Sequence, residues 1–156
     1  MSFGVGMICW MVLGSLILNR LFFRPTLPAA LIPTLAIEVA PPVVAGNTYF
    51  FLTGGRVDLF AYILAGYAVL MALVQLRLAP VYLKLAFTPG FWGFTFSYAA
   101  AAGFALRWIG IAHPPASAFL GLAVLAGITL LIGGIAVRTL LALGQGKLLP
   151  ASQTRG

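Results

Sequence analysis

Long apolar runs, each closed by a short cluster of Arg, Pro, Gly or His, divide the chain into five segments. The runs cover about residues 3–22, 34–53, 59–78, 91–111 and 116–143. Each reaches the ~20 residues that cross a bilayer as a helix. Asn19, Arg20 and Arg24 close the first run, and Pro25, Pro28 and Pro33 keep the next connection extended. Gly54-Gly55-Arg56 turns the chain into the third run, which carries Gln75 and Arg77 near its end. Residues 79–90, with Lys84, read as a loop or interfacial segment, and His113-Pro114-Pro115 separates the last two runs. The pattern predicts an all-α multi-pass membrane protein. One transmembrane domain spans residues 1–143, and a polar, mobile tail covers 144–156.

The fourth run has the most unusual internal order. It opens on Pro89-Gly90, crowds aromatics into Phe91 to Tyr98, and then falls to Ala and Gly through Gly103. At 3.6 residues per turn, Phe91, Phe94 and Tyr98 share one face. Trp92 and Phe96 share another, which continues through the small residues Ala99, Ala100 and Gly103. One bulky ring above a wall of tiny side chains fits a helix lining a narrow apolar pore with a single obstruction. It also fits a helix that packs closely on a neighbour, the commoner use of such a pattern.

The second run holds Glu38, the one acid inside any apolar run, and the pair Pro41-Pro42. In an α-helix those prolines free the carbonyls of Ile37 and Glu38. Freed carbonyls at membrane depth require protein or a wet cavity beside them. Glu38, Pro41, Pro42, Ala45, Gly46 and Tyr49 share a helix face, which is expected to point into the bundle.

Composition supports the membrane assignment. Of 156 residues, 62% are hydrophobic and 7% charged, with a mean hydropathy of +1.10. A soluble surface needs roughly a quarter charged residues. The net charge of +7 is scattered at run ends, which speaks against a nucleic-acid partner. Arg20, Arg24, Arg77, Lys84, Arg138, Lys147 and Arg155 fall on one side, and Arg56 and Arg107 on the other. This asymmetry places the C-terminus in the cytoplasm and the N-terminus outside. Five spans starting outside, with no basic leader, are expected of the second half of a larger transporter. Cys9 is the single cysteine, so no intrachain disulfide forms.

Phe91-Trp92-Gly93-Phe94-Thr95-Phe96-Ser97-Tyr98, preceded by Phe87-Thr88-Pro89-Gly90, resembles the ninth helix of the tellurite-resistance/dicarboxylate transporter family. That family includes TehA-type channels, malate and sulfite permeases and the plant slow anion channels. Leu27-Pro28 through Pro33 to Glu38 and Pro41-Pro42 looks like its seventh helix, and Gly4-Val5-Gly6 through Trp10 to Arg20-Leu21 like its sixth. The resemblance covers about Gly4 to Leu143. It implies the second half of a ten-helix pore built of helical hairpins, assembled as a homotrimer in the cell membrane. It implies passage of small anions, among them C4-dicarboxylates and tellurite. The phenylalanine that closes such a pore corresponds to Phe96. Glu38, Pro41, Pro42, Trp92, Ala99, Ala100 and Gly103 become candidates for the lining or a helix kink. The family has about twice this many spans, so a separate N-terminal half is an expected partner, beside membrane lipid.

Each candidate also has a plainer role. Glu38, ~6 Å along a helix from Thr34, can simply reach the headgroups, or it can couple protons. The basic residues at the cytoplasmic mouth attract anions or merely obey the positive-inside rule. His113 stands alone, and metals need several ligands. No nucleophile triad, carboxylate pair or phosphate loop is present in the sequence, which predicts no enzyme, no metal and no cofactor. Two functions remain: an anion channel or transporter, or a truncated non-conducting subunit for assembly.

Overall fold

The computed structural model of the chain describes residues 1–146. Lys147, Arg155 and most of the expected tail lie outside the described residues. Five α-helices form the fold: α1 (Ser2–Phe23), α2 (Ala40–Thr53), α3 (Leu59–Tyr82), α4 (Gly93–Ala112) and α5 (Ser117–Gly144). Two 3-10 segments, Ala29–Val39 and Pro89–Trp92, lead into α2 and α4. No strand occurs among the described residues. Ser2–Phe23, Ala29–Thr53, Leu59–Tyr82 and Ser117–Gly144 are long and apolar enough to cross a membrane. The 20 residues of α4 span ~30 Å, a full hydrocarbon core, but Arg107 and the Gly, Ser and Thr residues dilute its apolarity.

The second apolar run is not a single α-helix from Thr34 to Thr53. Residues Ala29–Val39 wind as a 3-10 helix, and Pro41 and Pro42 fall in the first turn of α2. The prolines explain the change of winding. In an α-helix the Ile37 carbonyl would wait for the N–H that Pro41 lacks. In the tighter coil the Ala40 N–H reaches it instead, so that carbonyl is not free. Proline is tolerated in a first turn because the missing N–H has no intrahelical partner there anyway. The pair therefore marks a junction between two helix types rather than a kink inside one.

The ends of the helices follow from local chemistry. Arg24 leaves α1 in an extended conformation, as a residue before proline must, and the Arg20 guanidinium donates to the Pro25 carbonyl at 2.8 Å. Asp58 caps α3, accepting from the backbone N–H groups of Phe60 and Ala61 at 3.1 Å each. The Tyr49 hydroxyl donates to the same carboxylate, and Arg56 lies 3.6 Å from it. This ties the end of α2 to the start of α3. α3 continues through Pro80 to Tyr82, so residues 79–82 are helix rather than loop.

α4 is the helix against which α2, α5 and the long 3-10 segment pack. Phe50, Val43, Ala61 and Phe104 join α2, α3 and α4 in one cluster, and Ala36, Tyr82, Phe94 and Ile135 join the 3-10 segment, α3, α4 and α5 in another. The first cluster depends on Gly46. A Cβ there would overlap the Phe104 ring, so only glycine lets α2 and α4 close on each other. α1 has no buried residue. It touches the rest through α2 and two ring pairs, Phe3 with Phe60 and Trp10 with Tyr67.

Candidate functional site

The three faces of α4 have different environments. On the first, Phe87, Phe91, Phe94 and Tyr98 stack in series with ring centroids 5.4 to 5.7 Å apart. Tyr82 of α3 meets Phe94 edge-on at 5.0 Å. This is the face expected from the i, i+3, i+7 spacing, and it forms a structural spine toward α3 and α5.

The second face meets α2 and the long 3-10 segment. Ser97 is fully buried and turns its hydroxyl back to the Gly93 carbonyl at 3.0 Å. A Cβ on Gly93 would come within 3.2 Å of the Ile37 side chain. One turn past Ser97, the Asn47 amide donates to the Ala100 carbonyl at 3.0 Å. Asn47 therefore spends its polarity on a helix–helix contact, a recurrent use of amides inside membranes.

The third face is open. Trp92, Phe96, Ala99, Gly103 and Arg107 lie within ~80° of one another at 100° per residue. Phe96 is 65% exposed and Trp92 43%. Ala99 and Arg107 are exposed, and Gly103 is half-buried beside Asn47. Trp92 is tethered, since its indole N–H donates to the Thr139 hydroxyl of α5 at 3.0 Å. Phe96 has no such restraint. It stands between the flanks where α2 and α5 pack, as the one large apolar side chain on this face beyond the tethered Trp92. Ala100 belongs to the α2 contact as much as to this face. In the sequence Arg107 is marked by its side of the membrane and not by its place on this face. The helix register sets it ~16 Å from Phe96 on the same side.

Glu38, Pro41 and Pro42 are not on that face. Glu38 is half-buried and lines a crevice of about 440 Å³ with Arg20, Thr34 and Leu21, turned to α1. Pro41 and Ala45 line a groove of about 330 Å³ with Trp10. Pro42 is buried. The expected inward face of the second run is thus divided between α1 and α4.

Two polar residues matter more than their sequence context suggested. Gln75 is buried, donates to the Leu35 carbonyl at 3.0 Å and accepts from the Tyr82 hydroxyl at 2.8 Å. It fixes the 3-10 segment to α3. The signal available for both Gln75 and Asn47 was a lone amide within an apolar run.

A family model described as "SLAC1: Voltage-dependent anion channel" matches residues 1–140. The chain is also 34% identical over 100 residues to the tellurite resistance protein TehA homolog of Haemophilus influenzae. That alignment covers 64% of the chain and 30% of the relative, so the chain aligns with less than a third of that protein's length.

Proposed function

Because the chain belongs to the SLAC1 family of voltage-dependent anion channels, we propose that it supplies one wall of an anion pathway, with Phe96 as its obstruction. The observation that supports this reading is the open face of α4: an exposed, untethered ring among small residues, on the helix that the rest of the fold braces. A phenyl ring in a narrow apolar passage blocks ions by volume and by excluding water. Moving it aside by a change of χ1 costs on the order of 1 kcal/mol. Trp92, Ala99, Ala100 and Gly103 line the passage beside it, and Arg107 gives it a positive charge toward one mouth.

The pathway passes small anions, C4-dicarboxylates or tellurite by size and weak field, without a tight site, cofactor or enzymatic step. The protein works as a homotrimer in the cell membrane. Its basic end, with Arg20, Arg24, Arg77, Lys84 and Arg138, faces the cytoplasm, and Arg56 and Arg107 lie toward the outside, as the positive-inside rule requires. The test is the reversal potential of reconstituted protein under a potassium chloride gradient. A potential near the chloride equilibrium value is expected, and cation selectivity would overturn the proposal.

One observation favours the second reading, a non-conducting assembly subunit. α1 buries none of its residues, which leaves its faces free to meet further helices as well as lipid. On that reading the open face of α4 is packed against a partner half, and Phe96 fills a helix–helix contact.

A further inference from the structure

A wide crevice lies away from the open face of α4. It measures about 600 Å³ and runs between α3, α4 and α5. Along α3 it extends from Ala72 to Leu83, ~16 Å at 1.5 Å per residue. One leaflet of bilayer hydrocarbon is ~15 Å thick, half of the ~30 Å core. The walls are apolar, with Leu76, Phe91, Leu131 and Ile135 among them. The two polar groups on the α3 wall are satisfied by each other and by the Leu35 carbonyl, through Tyr82 and Gln75. The crevice thus suits a hydrocarbon chain better than a hydrated solute.

Arg138 stands at one end of it. The Trp92–Thr139 hydrogen bond puts this part of α5 level with the start of α4. Arg138 also lines a second hollow of about 330 Å³ with Phe87, Pro89 and Gln145 at the same end. It is exposed and makes no ion pair or hydrogen bond among the described residues. The whole chain contains two acids, and one of them, Asp58, is engaged by Arg56 and Tyr49 at the other end of α3. The other, Glu38, lines the separate crevice beside Arg20, so no carboxylate side chain among the described residues neutralises Arg138 and a phosphate can.

The geometry points to a binding site for an anionic phospholipid, with one acyl chain in the α3–α5 crevice and its phosphate on the Arg138 guanidinium. A guanidinium matches a phosphate with two parallel hydrogen bonds, and basic pockets between membrane helices are recurrent headgroup sites. This site does not depend on whether α4 lines a conducting path.

The test is native mass spectrometry of the purified full chain, titrated with phosphatidylglycerol or phosphatidylcholine of identical acyl chains. Wild type should retain phosphatidylglycerol about 10-fold better. Arg138→Gln should lose that preference, and Arg138→Lys should keep part of it. Arg24→Gln removes the same charge elsewhere and should leave the preference intact, which separates the site from general attraction to a cationic protein. Ala79→Phe narrows the crevice and should reduce retention of both lipids. Glycerol phosphate, a headgroup without a chain, should not displace the lipid. Equal retention of the two lipids by wild type, a preference that survives Arg138→Gln, or displacement by glycerol phosphate would each overturn the assignment. If Arg138→Gln does not fold, Ala79→Phe decides: unchanged retention of phosphatidylglycerol contradicts the site.

Discussion

The Phe104 ring of α4 occupies the space that any side chain on Gly46 of α2 would need. The contact sets the distance between the helix that carries Phe96 and the helix that follows the proline junction. Gly46→Ala should therefore be destabilising even though alanine favours helix. Over-packing of this kind costs about 1–3 kcal/mol. A thermal scan in detergent should show a lowered midpoint for Gly46→Ala and partial recovery in Gly46→Ala/Phe104→Leu. Recovery is expected because the closest overlaps are with Cε2 and Cζ of the ring, which leucine lacks.

Gln75 links Tyr82 to the Leu35 carbonyl across two elements. Gln75→Leu leaves both partners without that bond at membrane depth. The expected loss is about 0.5–2 kcal/mol, within the range measured for hydrogen bonds in membrane proteins. Adding Tyr82→Phe to Gln75→Leu should cost less than the sum of the two single changes, because the hydroxyl has already lost its acceptor. Unfolding midpoints of the four proteins in the cycle check this.

Asp58 predicts an acid sensitivity. The Tyr49 hydrogen bond first, and then the Ala61 N–H, hold its carboxyl below the ordinary aspartate range, with Arg56 and Phe60 adding to the effect and burial opposing it. A depressed folded-state pKa stabilises the fold above the unfolded value, ~3.9. That contribution disappears as pH falls from there through the folded value. Asp58→Asn should lower the thermal midpoint at pH 7, and the gap from wild type should close on acidification below pH ~4. A gap independent of pH would show that the charge plays no part.

Glu38 sits in the crevice beside Arg20, turned to α1 and away from the open face of α4. Glu38→Gln should leave anion flux and its pH dependence unchanged between pH ~5.5 and ~8. Liposome efflux at both ends of that range is the measurement. A pH profile that the substitution flattens would make Glu38 part of proton coupling.

The sequence was most informative where one physical rule governs. Five apolar runs and their polar breaks gave the helix count, because length and hydrophobicity decide what crosses a membrane. The 3.6-residue period separated the Phe91–Phe94–Tyr98 spine from the Trp92–Phe96 face without any tertiary information. It failed at residues 29–39, where Pro33, Pro41 and Pro42 remove α-helical donors and the chain tightens to a 3-10 coil. It also failed for Asn47 and Gln75. An amide gives no direction in a sequence, and its partners, the carbonyls of Ala100 and Leu35, are common to every residue type. The split of the small-residue face between an α2 contact at Ala100 and open surface at Ala99 turns on 100° of helix rotation, which only packing resolves.

The most direct measurement is anion current through planar bilayers, in chloride and then in malate, for wild type and Phe96→Ala. Phe94→Ala, which removes a buried ring from the opposite side of α4, serves as the comparison. Wild type should be nearly silent, and Phe96→Ala should conduct while Phe94→Ala does not. Indistinguishable currents from wild type and Phe96→Ala, both alone and with a complementary N-terminal half supplied, would contradict a gate at Phe96.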